Sequence, residues 1–209
     1  MRGRERAIIL ASASPRRREI LRSAAIPFAA VPAEVDETPR PGENPKKYAA
    51  RVARDKARKI SPANPGRWVL AADTIVVYDG KILGKPRDRR AAREMLLALS
   101  GREHEVITGY CLVKGSTTRE ALVITRVVFK PLSAREIEWY LDTGEPFDKA
   151  GAYAIQGKAS FMVKGIRGSY TNVVGLPLTE VVEDLRSLRA VPLFLPQRAQ
   201  RSQSKIKKQ

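Results

Sequence analysis

The chain has 209 residues, 43% of them hydrophobic, enough to bury a substantial core and too many for global disorder. No stretch approaches the ~20 apolar residues of a membrane span. Arg16, Arg17 and Arg18 fall where a signal peptide would be cut, so a soluble cytoplasmic protein is expected. Cys111 is the only cysteine and His104 the only histidine, which excludes an internal disulfide and a Cys/His zinc site. Both lie in strand-like sequence and make weak candidates for nucleophilic catalysis. Any metal must be held by oxygen, which favours Mg2+ or Mn2+. The net charge is +17, from 39 basic and 22 acidic residues, and draws polyanions. Part of that excess is the tail, with Arg198, Arg201, Lys205, Lys207 and Lys208 and no acid after Asp184.

In chain order, Ala7 to Ala11 predicts a short buried strand. Ser14 is a good N-cap and Pro15 a good first residue for a helix with Ile20, Leu21, Ala24 and Ala25 on one face. Phe28 to Val35 predicts a second strand, followed by a Pro-rich loop. Asn44-Pro45 opens a helix to about Ile60. Trp68 to Tyr78 is a long β-rich run, and Asp79-Gly80 turns it into a hairpin with Lys81 to Leu83. Asp88 caps a helix ending near Ser100-Gly101. Strands follow at Glu103 to Val113 and Ala121 to Lys130. Ser133 and Glu136 form a capping box for a helix that stops at Gly144. Gly151 to Ile155 predicts a short strand, followed by a Gly-rich stretch to Gly175. Leu178, Val181, Val182, Leu185 and Leu188 mark a last helix. Residues 190–209 are rich in Pro, Gln and Lys/Arg and are expected to be disordered. The mixture predicts an α/β fold with helices packed on a sheet.

Three places break local rules, which tends to mark function. A helix N-terminus carries partial positive charge and free N–H groups, yet Arg16, Arg17 and Arg18 crowd this one. A bound phosphate would resolve the conflict, with Ser12 and Ser14 adding hydroxyls; the alternative is a solvated basic helix start. Lys56 recurs with Tyr48, Val52 and Ile60 at a spacing of four, on the apolar stripe. Either its stem snorkels to water or its charge meets an anion in a cleft. Asp73 interrupts an apolar run that predicts a strand buried on both faces, so it needs a cation partner or a metal. Glu34, Asp36 and Glu37 form an acidic cluster, one member of which could share a cation with Asp73. Lys85, in Gly84-Lys85-Pro86, offers a cation beside the hairpin. Gln156 can both donate and accept, as reading a base edge requires; a plain polar turn explains it equally well.

Together these segments resemble the Maf family of nucleotide pyrophosphatases: SASPRR (12–17), VDE (35–37), DKA (55–57), AADT (71–74), GKP (84–86), DKAGAYAIQG (148–157) and SYTNVVGLPL (169–178). Each motif is short, and their occurrence in family order is what makes the match specific. The resemblance implies an elongated mixed α/β sheet with flanking helices, its two lobes (residues 1–189) enclosing a deep cleft, similar in shape to the inosine triphosphate pyrophosphatases. It implies hydrolysis of a nucleoside triphosphate to the monophosphate and pyrophosphate. Ser12, Arg16, Arg17, Lys56 and Lys85 would bind the triphosphate. Asp73 would activate water, with Glu37 and Asp73 holding a divalent cation. Arg16, Thr74 and Gln156 match the dTTP/UTP subgroup, whose sister subgroup prefers 7-methyl-GTP. A homodimer is also implied. Two readings from other classes are a nucleic-acid-binding protein, supported by charge and tail but short of aromatics for stacking, and a regulator of cell division.

Overall fold

The structure, a computed structural model, describes residues 7–191. The expected disorder of the tail therefore concerns residues that, apart from Ala190 and Val191, lie outside the described ones. Those two are not loose: the Ala190 N–H donates to the Leu185 carbonyl and Val191 is buried in the core.

A seven-stranded mixed sheet organises the molecule. Its strands are β1 (Ile8–Leu10), β2 (Phe28–Ala30), β3 (Val69–Tyr78), β4 (Lys81–Leu83), β5 (Glu103–Lys114), β6 (Thr117–Phe129) and β7 (Val163–Arg167). The order is β2-β1-β3-β5-β6-β7, with β4 also on β3. β1 runs parallel to β2 and β3, and the remaining pairs are antiparallel. The helices are α1 (Pro15–Ser23), α2 (Pro45–Ile60), α3 (Arg89–Leu99), α4 (Ala134–Asp142), α5 (Tyr170–Val174) and α6 (Leu178–Ser187). Asn44, Asp88 and the Ser133–Glu136 box cap α2, α3 and α4 as expected.

Alternation along β3 divides the core. Ala71 and Ile75 pack under α2 with Ala53, Ala57, Tyr48 and Val52. On the other face Leu70 and Ala72 join the α1 and α6 side chains Ile20, Leu21, Val181 and Leu185, while Val76 joins Ala92 and Leu96 of α3 and Tyr140 of α4. The long helix α2 lies tight on the sheet: a Cβ at Gly109 of β5 would collide with the Ala49 carbonyl group. That closeness brings an α2 side chain within reach of β3.

Several expectations are corrected. Helix α1 ends at Ser23, because Ala24 is its C-cap and Ala25 takes a left-handed φ of 54°. Strand β2 is short: the Val31 N–H still reaches the Leu10 carbonyl, but Pro32 has no donor to continue. β6 begins at Thr117, four residues early, since its hairpin with β5 closes to the Lys114–Thr117 pair. The strand expected at Gly151 to Ile155 is absent. Gly151 and Ala152 adopt φ of 67° and 59°, which no strand accommodates, and Ala150–Ala152 forms a 3-10 turn. The Gly-rich stretch hides β7 and α5.

Candidate functional site: a cleft at the open edge of the central strand

On one edge β3 pairs with β5 from Val69 to Val77. On the other, β1 covers only Val69 and Leu70, and β4 covers Val76 to Tyr78. Ala71 to Ile75 thus has no strand partner on that edge, and Asp73 is its midpoint. A cavity of about 410 Å³ opens there, within the usual size for a small-molecule site. Ser12, Arg16, Arg17, Glu37, Lys56, Asp73, Thr74, Lys85 and Gln156 all line it. The structure therefore gathers residues from α1, α2, β3 and four loops that are up to 144 positions apart in the chain. Glu34 and Asp36 are not part of the lining.

Asp73 faces α2. Lys56 is 7% exposed, and its ammonium lies 2.8 Å from Asp73 Oδ1 and 2.7 Å from Glu37 Oε1. The choice left open by spacing is settled: the lysine does not snorkel, and its charge is met by two carboxylates. A buried ion needs such partners, since an uncompensated one is costly. Glu37 is itself anchored by the Tyr48 hydroxyl, which donates to its carbonyl oxygen at 2.7 Å. Burial, with Asp73 and Glu37 nearby, pushes the Tyr48 phenol up to about 12, so it stays a neutral donor. Tyr48 is a supporting residue that the sequence showed only as part of an apolar stripe.

Thr74 points to the opposite face, where Arg17 lies buried beneath the start of α1. Arg17 Nε donates to the Gly175 carbonyl at 2.8 Å, one terminal nitrogen to Ser12 Oγ at 3.2 Å and the other to Thr74 Oγ1 at 3.1 Å. Further N–H groups of the fork are left for a ligand. Burial lowers the pKa of Arg17, opposed by Asp73 and Glu37 and assisted by Arg16; the guanidinium still remains charged. Ser14 caps α1 by accepting the Arg17 N–H, and the first turn contains no acid. The three arginines divide their work. Arg17 goes inward, Arg16 lines the cavity, and Arg18 turns back to the Ala13 carbonyl at 2.9 Å.

The far wall is the segment from Asp148 to Gln156. Asp148 and Lys149, which pair with each other, and Tyr153 also line the cavity. Sequence reasoning assigned them no role, although the Asp148-Lys149 pair opens one of the recognised motifs. Behind the wall, His104 Nε2 meets the Tyr153 hydroxyl at 2.8 Å. Burial pulls His104 down to about 4 and pushes the Cys111 thiol up to about 12. Neither lines the cavity, so both are core residues.

The arrangement is dipolar, with arginines and lysines around a helix start and two carboxylates sharing one ammonium. Asp73 and Glu37 offer hard oxygens close enough to contact the same atom, which suits a hard divalent cation. No group of three or more His, Cys, Asp or Glu side chains that could hold a metal occurs among the described residues. A cation there would need water and ligand oxygens to complete its shell, as Mg2+ commonly does.

Comparison with known proteins finds relatives over most of the chain. The profile of the family described as "Maf-like protein" matches residues 7–188. A Geobacter sulfurreducens protein named dTTP/UTP pyrophosphatase is 55% identical over 188 residues, covering 88% of this chain and 97% of its own. A Myxococcus xanthus protein of the same name is 52% identical, covering 92% and 96%. The 7-methyl-GTP, nucleic-acid and regulatory alternatives find no support among such relatives. The solved structure of the Staphylococcus aureus Ham1 protein aligns over 88% of this chain and 99% of that one, at 12% identity and a TM-score of 0.47.

Proposed function

From the premise that the chain belongs to the Maf family, we propose that it hydrolyses nucleoside triphosphates, dTTP and UTP foremost, between the α and β phosphates to give the monophosphate and pyrophosphate. The observation that carries this is the convergence of Arg16, Arg17, Lys56 and Lys85 with the carboxylates of Asp73 and Glu37 on one cavity at the unpaired stretch of β3. The triphosphate lies against Ser12, Arg16, Arg17, Lys56 and Lys85. Its base lies toward Thr74 and Gln156.

Asp73 accepts the proton of the attacking water, whose oxygen bonds to the α-phosphorus as the bond to the bridging oxygen breaks. Pyrophosphate leaves with that oxygen, and the arginine and lysine charges stabilise it as its own charge develops. In the free protein Lys56 holds Asp73 as its ion partner. A polyphosphate competes for that ammonium and frees the carboxylate to meet the attacking water. Asp73 and Glu37 would hold Mg2+ or Mn2+, which when bound supplies charge neutralisation at the phosphate oxygens and acidifies water. No helix of the described residues is long and apolar enough to cross a membrane; a cytoplasmic homodimer is the setting that the family resemblance implies.

The test is a panel of nucleoside triphosphates with Mg2+ or Mn2+ and purified protein, with pyrophosphate and orthophosphate assayed separately. Pyrophosphate with the monophosphate is expected, best from dTTP and UTP. Orthophosphate alone, or no cleavage of any nucleotide, overturns the reading.

A further inference from the structure

Gln156 is exposed on the cavity wall, and no hydrogen bond fixes its side-chain amide among the described residues. Its aim is therefore set by its backbone, and that backbone is held from behind. Immediately after α4, Glu145 turns its carboxylate to the start of the 3-10 helix Lys158–Met162. It accepts the Lys158 N–H at 3.0 Å, the Ala159 N–H at 3.4 Å and the hydroxyl of the fully buried Tyr140 at 2.9 Å. A negative group at free N–H donors is a favourable cap. The carboxylate presses on Gly157, the residue after Gln156, so closely that a Cβ there would overlap both of its oxygens. Glu145 does not line the cavity.

We infer that Glu145 is a positioning residue for base discrimination: its carboxylate, locked between Tyr140 and the 158–159 amides, fixes the Gln156-Gly157 turn and so the direction in which Gln156 meets the base. The inference rests on the proposed activity and deepens it. Uracil and thymine present a carbonyl, an N–H and a carbonyl on one edge, which a correctly aimed amide can match as donor and acceptor. Cytosine presents an amino group instead. A turn released from Glu145 lets the amide wander, and preference for UTP over CTP falls while the phosphate contacts persist.

The experiment compares UTP with CTP by kcat/KM and by Kd in wild type, Glu145→Ala, Gly157→Ala, Gln156→Ala and the doubles. Glu145→Ala is expected to cut the UTP/CTP preference about tenfold. Gly157→Ala, which displaces the carboxylate instead of deleting it, is expected to do the same, and serves if Glu145→Ala does not fold. In the Gln156→Ala background Glu145→Ala changes the preference no further, and in the Glu145→Ala background Gly157→Ala is harmless. A purely structural role would lower melting temperature and active fraction but leave the ratio alone. An unchanged ratio in both single variants, or additivity with Gln156→Ala, overturns the inference. Wild-type protein that prefers to bind UTP but cleaves nothing overturns the proposed activity alone, since the Kd ratios still test Glu145.

Discussion

The two ends of the cleft are built by different means. The phosphate end stands mainly on regular elements: Arg17 on the first turn of α1, Lys56 on α2 and Asp73 on β3, each buried and each with protein partners at 2.7–3.2 Å. The base end stands on turns. Gln156 is exposed, and the wall from Asp148 to Gln156 contains left-handed residues and no strand. A triphosphate is common to all the candidate nucleotides, so a rigid, pre-paired cluster serves every one of them. What distinguishes one base from another is carried by the loop side, where changes cost little stability. Disturbing the first end should therefore abolish chemistry or folding, and disturbing the second should retune it.

The largest effect is expected at Asp73. Asp73→Asn keeps the side-chain volume and leaves Lys56 with Glu37, so the fold is retained. Loss of the proton acceptor should reduce kcat by about 10²- to 10⁴-fold, with nucleotide still bound in a titration. Near-normal kcat would remove Asp73 from the chemistry.

Lys56 comes next, read as stability. Lys56→Met removes the ammonium from the buried Asp73 carboxylate, and stranding such a charge costs about 3 kcal/mol. A chain of this size should then melt roughly 10 °C lower. The double variant Lys56→Met/Asp73→Asn strands no charge at Asp73 and should recover most of the loss. A double as unstable as the single would show that the lysine stem, not its charge, supports the core.

The same contrast governs what could be read beforehand. At the phosphate end the functional residues contradict the period of their own element: arginines in a first helical turn, a lysine on an apolar stripe, an aspartate in an apolar run. Such conflicts are local and visible in one dimension. The base end leaves no comparable trace. Gly151 to Ile155 alternates and is apolar, so it mimics a strand, and only Val76 of β3, packed against Gly151, shows why it turns. His104 and Tyr153 meet across 49 positions, and Glu145 acquires a role only once α4 lies beside Gly157. The Gly-rich run to Gly175 concealed a strand and a helix whose Gly175 carbonyl completes the Arg17 site.

His104 offers a pH readout from behind the base wall. Its folded pKa, about 4, lies below the ordinary 6.5. As pH falls below 6.5 the unfolded chain takes up a proton that the folded one refuses, so stability is lost with acidification. Between pH 6.5 and 4.5 the loss should be roughly 2 kcal/mol. The chain has no other histidine, and the lowered carboxyls Glu43 and Glu136, at about 2, contribute only as pH falls below about 4.5. His104→Phe should flatten the melting curve's pH dependence in that window, and an equal slope would place the titration elsewhere.

Lys85 should show the smallest effect, because it meets the triphosphate from an exposed loop, and its salt dependence sharpens the comparison between loop and regular element. It is exposed, and no salt bridge engages it among the described residues, so Lys85→Ala should leave melting within about 0.5 kcal/mol of wild type. Its contact with a phosphate is made in water, where a charge pair contributes on the order of 1 kcal/mol or less, so KM should rise by about fivefold or less. Salt screens exposed charges over a Debye length of roughly 10 Å at 0.1 M and about 3 Å at 1 M, so that penalty should shrink toward nothing as salt is raised. Arg17 is screened far less because it is buried, and Arg17→Ala should keep its larger KM penalty across the same series. If the two penalties decline together, the buried arginine does not reach the phosphates, and exposed charge alone holds the triphosphate.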